Sequence, residues 1–288
     1  MTEKINISTL LSEVSEIIKG ALLGAPELIL TYTQHLTNAT GKMFRARLLL
    51  VSSWEADKEI SQEAKILAAA AELVHLASLV HDDVMDRADK RRGIQTLNSK
   101  FSDKEAVICG DYIIAIAIKL ISRIELKEKK KNFPDYASKM CEGQLREFLN
   151  INNVTMSAYT YFRIIKGKTA ALFEAVCFAG ASLCEAEDIN RYKKIGHYSG
   201  MAFQLMDDYR DVKQSTELKN ANSDIKNGVV TLPQILAFCK GREFGEEKTY
   251  ECAKKYIQKA IKEIELLKAT ESKKQALKDI ILKIQEKK

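Results

Sequence analysis

Two short segments concentrate the acidic chemistry of this chain: Asp82-Asp83-Val84-Met85-Asp86 and Asp207-Asp208-Tyr209-Arg210-Asp211. On an α-helix, residues four apart lie about 40° from one another around the axis, so Asp82 shares a face with Asp86, and Asp207 with Asp211. Stacked carboxylates repel, and near a helix C-terminus the dipole adds to the repulsion. Both trios follow apolar sequence, Leu76-Ala77-Ser78-Leu79-Val80 before the first and Ala202-Phe203-Gln204-Leu205-Met206 before the second, so a solvated acidic face explains them poorly. Hard oxygen donors with no cysteine or histidine cluster beside them suit Mg2+, which joins one or two carboxylates to waters and phosphate oxygens. Two such clusters point to a phosphate ligand bridged by metal, and not to an all-protein cage.

Cations should then gather to meet the phosphate. Candidates are Lys42 and Arg45 in Gly41-Lys42-Met43-Phe44-Arg45, Arg91-Arg92-Gly93 just past the first trio, and Lys168-Thr169 in Lys166-Gly167-Lys168-Thr169. Guanidinium forks match phosphate oxygens, which favours Arg91 and Arg92. The Gly167-Lys168-Thr169 piece is no P-loop, because Phe162 stands where the upstream glycine would be. His75 lies seven residues before Asp82, two turns away and about 20° off its face. A buried, hydrogen-bonded histidine is the alternative reading there.

The elements that must position these groups are helices. With 3 prolines and 13 glycines in 288 residues there are too few turn formers for a β-rich chain, and 46% hydrophobic with 29% charged residues excludes disorder. The pattern predicts a long helix from Ser61 to Asp89, and others at about 103–124, 134–149, 158–184 and 188–213. A polar loop follows over 214–230, then an amphipathic pair from Glu246. The expectation is one all-α domain over 1–288, of about ten or more helices. The charge of +6 and the 7% aromatic content give no clustered basic–aromatic surface, so nucleic acid is not an expected partner. Six cysteines without C-x-x-C spacing read as small apolar residues in a reducing compartment, and the acidic, discontinuous N-terminal stretch is not expected to act as a signal sequence. The apolar stretches 64–80 and 169–184 are short for membrane spans, which leaves a cytoplasmic chain with at most peripheral membrane association.

Residues from about 40 to 240 resemble the trans-polyprenyl diphosphate synthases. Two D-D-x-x-D motifs lie 125 residues apart, K-x-x-R stands at Lys42 and Arg45, R-R-G follows the first trio, and F-Q-x-x-D-D-x-x-D forms the second. The resemblance implies the isoprenoid synthase fold, a helical bundle around a central apolar cavity, usually homodimeric, with the two motifs facing each other. It implies Mg2+ held by Asp82, Asp83, Asp86, Asp207, Asp208 and Asp211. Arg91, Lys168 and Lys219 would bind an allylic diphosphate. Lys42, Arg45, His75 and Arg92 would bind isopentenyl diphosphate, and Thr169 and Gln204 would sit beside the allylic carbon. The departures are Thr40 for a glycine, Ala46 for a proline, and Val229 where the family has a lysine.

Product length depends on the depth of cavity below the first trio. Ser78, Val74 and Ala71 continue below Asp82 on roughly its face. Relatives set a floor at the positions of Ala77 and Ser78, both small here, and the first motif lacks a two-residue insertion. A medium- or long-chain product is expected, in the hexaprenyl to decaprenyl range of quinone side chains. The floor is expected at Phe148 or among Ile116 to Leu120. A shorter-chain synthase, a terpene cyclase and a partner subunit of a heteromeric synthase are the alternatives.

Overall fold

Capping side chains set most of the helix starts. The computed structural model describes residues 5–37, 41–55, 58–91, 93–124, 133–217 and 228–286, and the chain divides into two compact units, Met1–Lys127 and Glu128–Lys288. The first unit contains α1 (Ile7–Leu23), α2 (Glu27–Leu36), α3 (Phe44–Ser53) and α4 (Gln62–Met85). A hairpin of β1 (Lys90–Arg91) and β2 (Ile94–Gln95) follows, then the single turn α5 (Leu97–Lys100) and α6 (Asp103–Ser122). Asn6, Ser61 and Ser102 accept hydrogen bonds from the amides of Thr9, Ala64 and Glu105 at 3.2–3.3 Å. Each such cap stabilises its helix by about 1 kcal/mol.

Helix α4 packs against α1, α3 and α6. Ala68, Ala69, Ala70 and Ala71 are all fully buried, so this stretch is enclosed on every side, and its small side chains let the neighbouring helices approach closely. By length and composition α4 could cross a membrane. Burial of the alanine run shows what that apolarity serves here: the core of the unit. The helix ends at Met85, earlier than the expected Asp89. Arg87 adopts φ 50°, and the Ala88 amide turns back to the Asp83 carbonyl at 2.9 Å. The strands then pair antiparallel, Lys90 with Gln95 and Arg91 with Ile94, across a turn where Gly93 takes φ 82°.

The second unit runs α7 (Phe133–Phe148), α8 (Ala158–Ile165), a π-helical turn (Lys166–Ala170), α9 (Ala171–Leu183), α10 (Ile189–Glu217), α11 (Leu232–Lys240), α12 (Arg242–Glu265) and α13 (Glu271–Leu282). Helix α10 packs on α9 and α12. The single helix expected over 158–184 is thus divided by the π turn, which coincides with Lys166-Gly167-Lys168-Thr169-Ala170. There α7 crosses the turn backbone to backbone: a Cβ on Gly143 would overlap the Lys168 amide, and one on Gly167 would stand 2.6 Å from the Lys139 carbonyl. Gly167 therefore serves a helix crossing and no phosphate loop. Helix α10 continues to Glu217, past the expected 213, and residues 218–227 of the expected loop lie outside the described residues. Helix α12 starts four residues before Glu246, because Gly241 at φ 90° ends α11 and opens the next helix.

Candidate active site

The first trio sits on the last turn of α4. The Asp86 amide donates to the Asp82 carbonyl at 2.8 Å, so the helical spacing holds through the motif, and Asp82 and Asp86 share a face. Asp82 is half-buried and Asp86 exposed, whereas Asp83 between them is only 6% exposed. Its Oδ1 accepts from Arg91 Nε at 2.8 Å and Nη2 at 2.7 Å, a charge-assisted fork that ties the hairpin to the end of α4. Burial pushes the Asp83 carboxyl above its ordinary pKa, and the Arg91 guanidinium acts against that rise.

The remaining candidates of this unit lie on α3 and α4, which pack together. Lys42 is exposed just before α3, and Arg45 is buried in its first turn. That first turn holds no acidic residue. Met43 adopts φ 49° to open the helix, and the Lys42 carbonyl accepts from Arg47 Nε at 3.1 Å. Cations at the positive end of a helix dipole are unfavourable by themselves, and Glu72 of α4 answers that charge by accepting from the Ala46 amide at 2.9 Å. His75 is half-buried on α4, and its carbonyl accepts from Ser78 Oγ at 2.8 Å. Ala77 is fully buried in the unit's core and Ser78 half-buried. Arg92 and Lys219 lie outside the described residues.

The second unit gathers Thr169, Gln204 and Asp208 into a continuous chain. Thr169 Oγ1 donates to Gln204 Oε1 at 2.7 Å, Gln204 Nε2 donates to Asp208 Oδ1 at 2.8 Å, and Tyr161 from α8 donates to Asp208 Oδ2 at 2.5 Å. Asp208 is 2% exposed, while Asp207 and Asp211 on either side are half-buried. Lys168 pairs with Glu147 of α7, which also accepts from Gln144 Nε2 at 3.3 Å. Tyr161 and Glu147 are not among the residues the motifs single out. The available signals were weak: Tyr161 lies two helical turns before Lys168, and Glu147 is a lone acid between Leu145 and Phe148.

Each trio therefore divides in the same way. The central aspartate is buried and bonded within its own unit, and the outer two are more accessible on one helix face. Asp83 and Asp208, which the resemblance placed among the metal ligands, are anchors in this geometry. Among the described residues no group of three or more His, Cys, Asp or Glu side chains forms a ready-made metal cage. Accessible outer carboxylates are nonetheless a chemically suitable donor set for a hard cation that completes its shell with water and phosphate oxygens.

The comparisons agree with that chemistry. The polyprenyl synthetase family model matches residues 26–280 and so runs through both units. The chain is 30% identical over 240 residues to a nonaprenyl diphosphate synthase of Mycobacterium tuberculosis, covering 82% of this chain and 70% of that protein. The crystal structure of heptaprenyl diphosphate synthase from Staphylococcus aureus superposes with a TM-score of 0.90 at 26% identity, over 99% of both chains. A geranylgeranyl pyrophosphate synthase from Corynebacterium glutamicum, solved with calcium and isoprenyl diphosphate, aligns at TM-score 0.80 and 25% identity over 96% of this chain and 95% of that one. The chain belongs to the polyprenyl synthetase family. It has the all-α isoprenoid synthase fold and is an enzyme of the trans-prenyltransferase class.

Proposed function

We propose that the chain condenses isopentenyl diphosphate head to tail onto an allylic diphosphate primer, releasing diphosphate and building a medium- or long-chain all-trans polyprenyl diphosphate for quinone side chains. The observation that carries this reading is the burial contrast within each aspartate trio, a buried central carboxylate between two more accessible ones. Asp82, Asp86, Asp207 and Asp211 would hold Mg2+, consistent with the calcium and isoprenyl diphosphate in the related geranylgeranyl synthase. When bound, the metal neutralises charge on the leaving diphosphate.

The chain's own residues supply the rest. Arg91 and Lys168, with Lys219, meet the oxygens of the allylic diphosphate as its C–O bond breaks. Lys42, Arg45 and His75, with Arg92, hold isopentenyl diphosphate so that its double bond attacks the allylic cation. The surplus proton leaves to the departing diphosphate. Thr169 and Gln204 offer dipoles to the cation, and an apolar cavity keeps water away. We take residues 1–288 to act as one domain and place the enzyme in the cytoplasm as a homodimer. The exposed apolar stripe of Val107, Ile108 and Ile118 on α6 supports a second copy as its neighbour.

The test is elongation. Purified chain is incubated with Mg2+, farnesyl diphosphate and labelled isopentenyl diphosphate, and the dephosphorylated products are sized by mass spectrometry. A ladder reaching hexaprenyl or beyond is expected. One that stops at geranylgeranyl replaces the chain-length assignment with the shorter product. Cyclic hydrocarbons, or no elongation from any primer until a second protein is added, replace it with a cyclase or a partner subunit.

A further inference from the structure

The hydrogen-bond chain of the second unit has a direction, and that direction is set at its buried end. An ionised carboxylate only accepts hydrogen bonds. Two donors converge on Asp208, Tyr161 Oη on Oδ2 at 2.5 Å and Gln204 Nε2 on Oδ1 at 2.8 Å, in a place almost closed to water. With its nitrogen turned to Asp208, the Gln204 amide must present its oxygen to Thr169, where it can only accept. Thr169 therefore donates its single hydroxyl hydrogen to Gln204 at 2.7 Å, and its lone pairs face whatever else it meets.

Resting on the prenyltransfer reading above, we propose that Tyr161 is a positioning residue for the reaction. By holding Asp208 as a pure acceptor, it fixes the Gln204 amide in one orientation and turns the electron-rich side of the Thr169 hydroxyl toward the allylic carbon. If the polarity were reversed, Gln204 would donate to Thr169 and an O–H dipole would be free to point its positive end at the developing cation. Interactions of this kind act in the transition state and not in ground-state binding. Tyr161 thus governs ionisation without touching substrate, through intervening side chains drawn from α10 and the π turn.

The experiment compares wild type, Tyr161→Phe, Asp208→Asn, Gln204→Glu and the double variant Gln204→Glu/Asp208→Asn in the elongation assay. Tyr161→Phe is expected to lower kcat about tenfold, with the KM of both diphosphates and the Mg2+ requirement unchanged. Asp208→Asn, whose amide can face either way, loses about a hundredfold. The double variant re-creates the original direction, because the amide now at position 208 donates to the carboxylate now at position 204, which accepts from Thr169. It should recover about tenfold over Asp208→Asn alone. A double variant no better than Asp208→Asn, or a Tyr161→Phe effect confined to KM, overturns the proposal. Melting points of the metal-free proteins give a second readout: Tyr161→Phe and Asp208→Asn should lower them by less together than the sum of their separate shifts. Additive shifts overturn the relay whatever the kinetics show. Wild-type protein that elongates no primer refutes the prenyltransfer reading, while the melting-point result still stands on its own.

Discussion

Replacing Gly143 by alanine tests whether the crossing of α7 with the π turn holds in place Lys168, which is proposed above to meet the allylic diphosphate. The added Cβ would overlap the Lys168 amide nitrogen and stand 2.6 Å from the Gly167 carbonyl carbon and 2.8 Å from its Cα. Carbon atoms rest at about 3.5–4.0 Å, so the two segments must separate by about 1 Å. Every atom in the way is backbone, and no side-chain rotamer can relieve the contact. Overpacking of this kind costs about 1–3 kcal/mol, and backbone against backbone belongs at the upper end. For a protein of this size about 3 kcal/mol lowers Tm by roughly 6–12 °C. The same movement carries Lys168 off its position, and a displacement of about 1 Å in a group that positions substrate costs about a hundredfold in turnover. Gly20 provides the contrast. A Cβ there meets nothing within 4 Å, and the residue lies inside α1. Gly20→Ala should therefore raise stability by about 0.5–1 kcal/mol and leave turnover unchanged. Calorimetry and steady-state kinetics on both variants decide the matter. A Gly143→Ala protein that melts with wild type, or loses stability while keeping full turnover, refutes the link between the crossing and Lys168.

Three further outcomes are expected. Asp82→Asn and Asp207→Asn should each lose about a hundredfold in turnover while the fold survives, and Asp83→Asn should melt below Asp82→Asn, because Arg91 loses its buried partner; an Asp83→Asn protein that melts with or above Asp82→Asn contradicts the burial contrast within the first trio. Ser78→Phe, at a half-buried site, should shorten the product ladder, whereas Ala77→Phe, in a fully buried site, should destabilise the fold by about 1–3 kcal/mol; a Ser78→Phe enzyme with an unchanged ladder puts the cavity floor elsewhere. Burial holds the His197 imidazole below its ordinary value of 6.5, with Glu174 partly offsetting. The unfolded chain then binds a proton that the folded one refuses, so stability falls as pH drops below about 6.5, by at most about 1.4 kcal/mol per unit, and levels off beneath the folded-state value. Urea titrations between about pH 7.5 and pH 5.5 should show this slope in wild type and a flatter one in His197→Gln; identical slopes exclude His197 as the cause.

The parts of the site that the sequence reveals are those with a local spacing. Asp82 with Asp86, Asp207 with Asp211, and Gln204 with Asp208 each lie four residues apart, so helical geometry alone brings them together. The anchors depend on pairings between helices, which no local pattern records. Tyr161 reaches Asp208 from 47 residues away and Glu147 reaches Lys168 from 21. The role of Arg91 is intermediate. Its type and nearness to the trio suggest phosphate binding, but only the hairpin turn at Gly93 brings its guanidinium back onto Asp83. The helices themselves were legible from the scarcity of proline and glycine and from their caps. The break between α8 and α9 was not: it lies where α7 crosses at Gly143, a contact between distant segments that no local pattern records.

The π turn also has a consequence for phase. Its wider hydrogen-bonded ring takes in about one residue more per turn than an α-helix, so the surplus is carried locally and the helices on either side keep their own phase. Tyr161 lies before the turn, facing Asp208, and Ala171 to Phe173 lie after it, in the core. A deletion within α8 or α9 would rotate one side against the other by about 100°. A single deletion from 166–170 can instead be taken up by tightening the turn to α-helical pitch. What such a deletion removes is the widening itself, and with it the placement of Lys168 and Thr169.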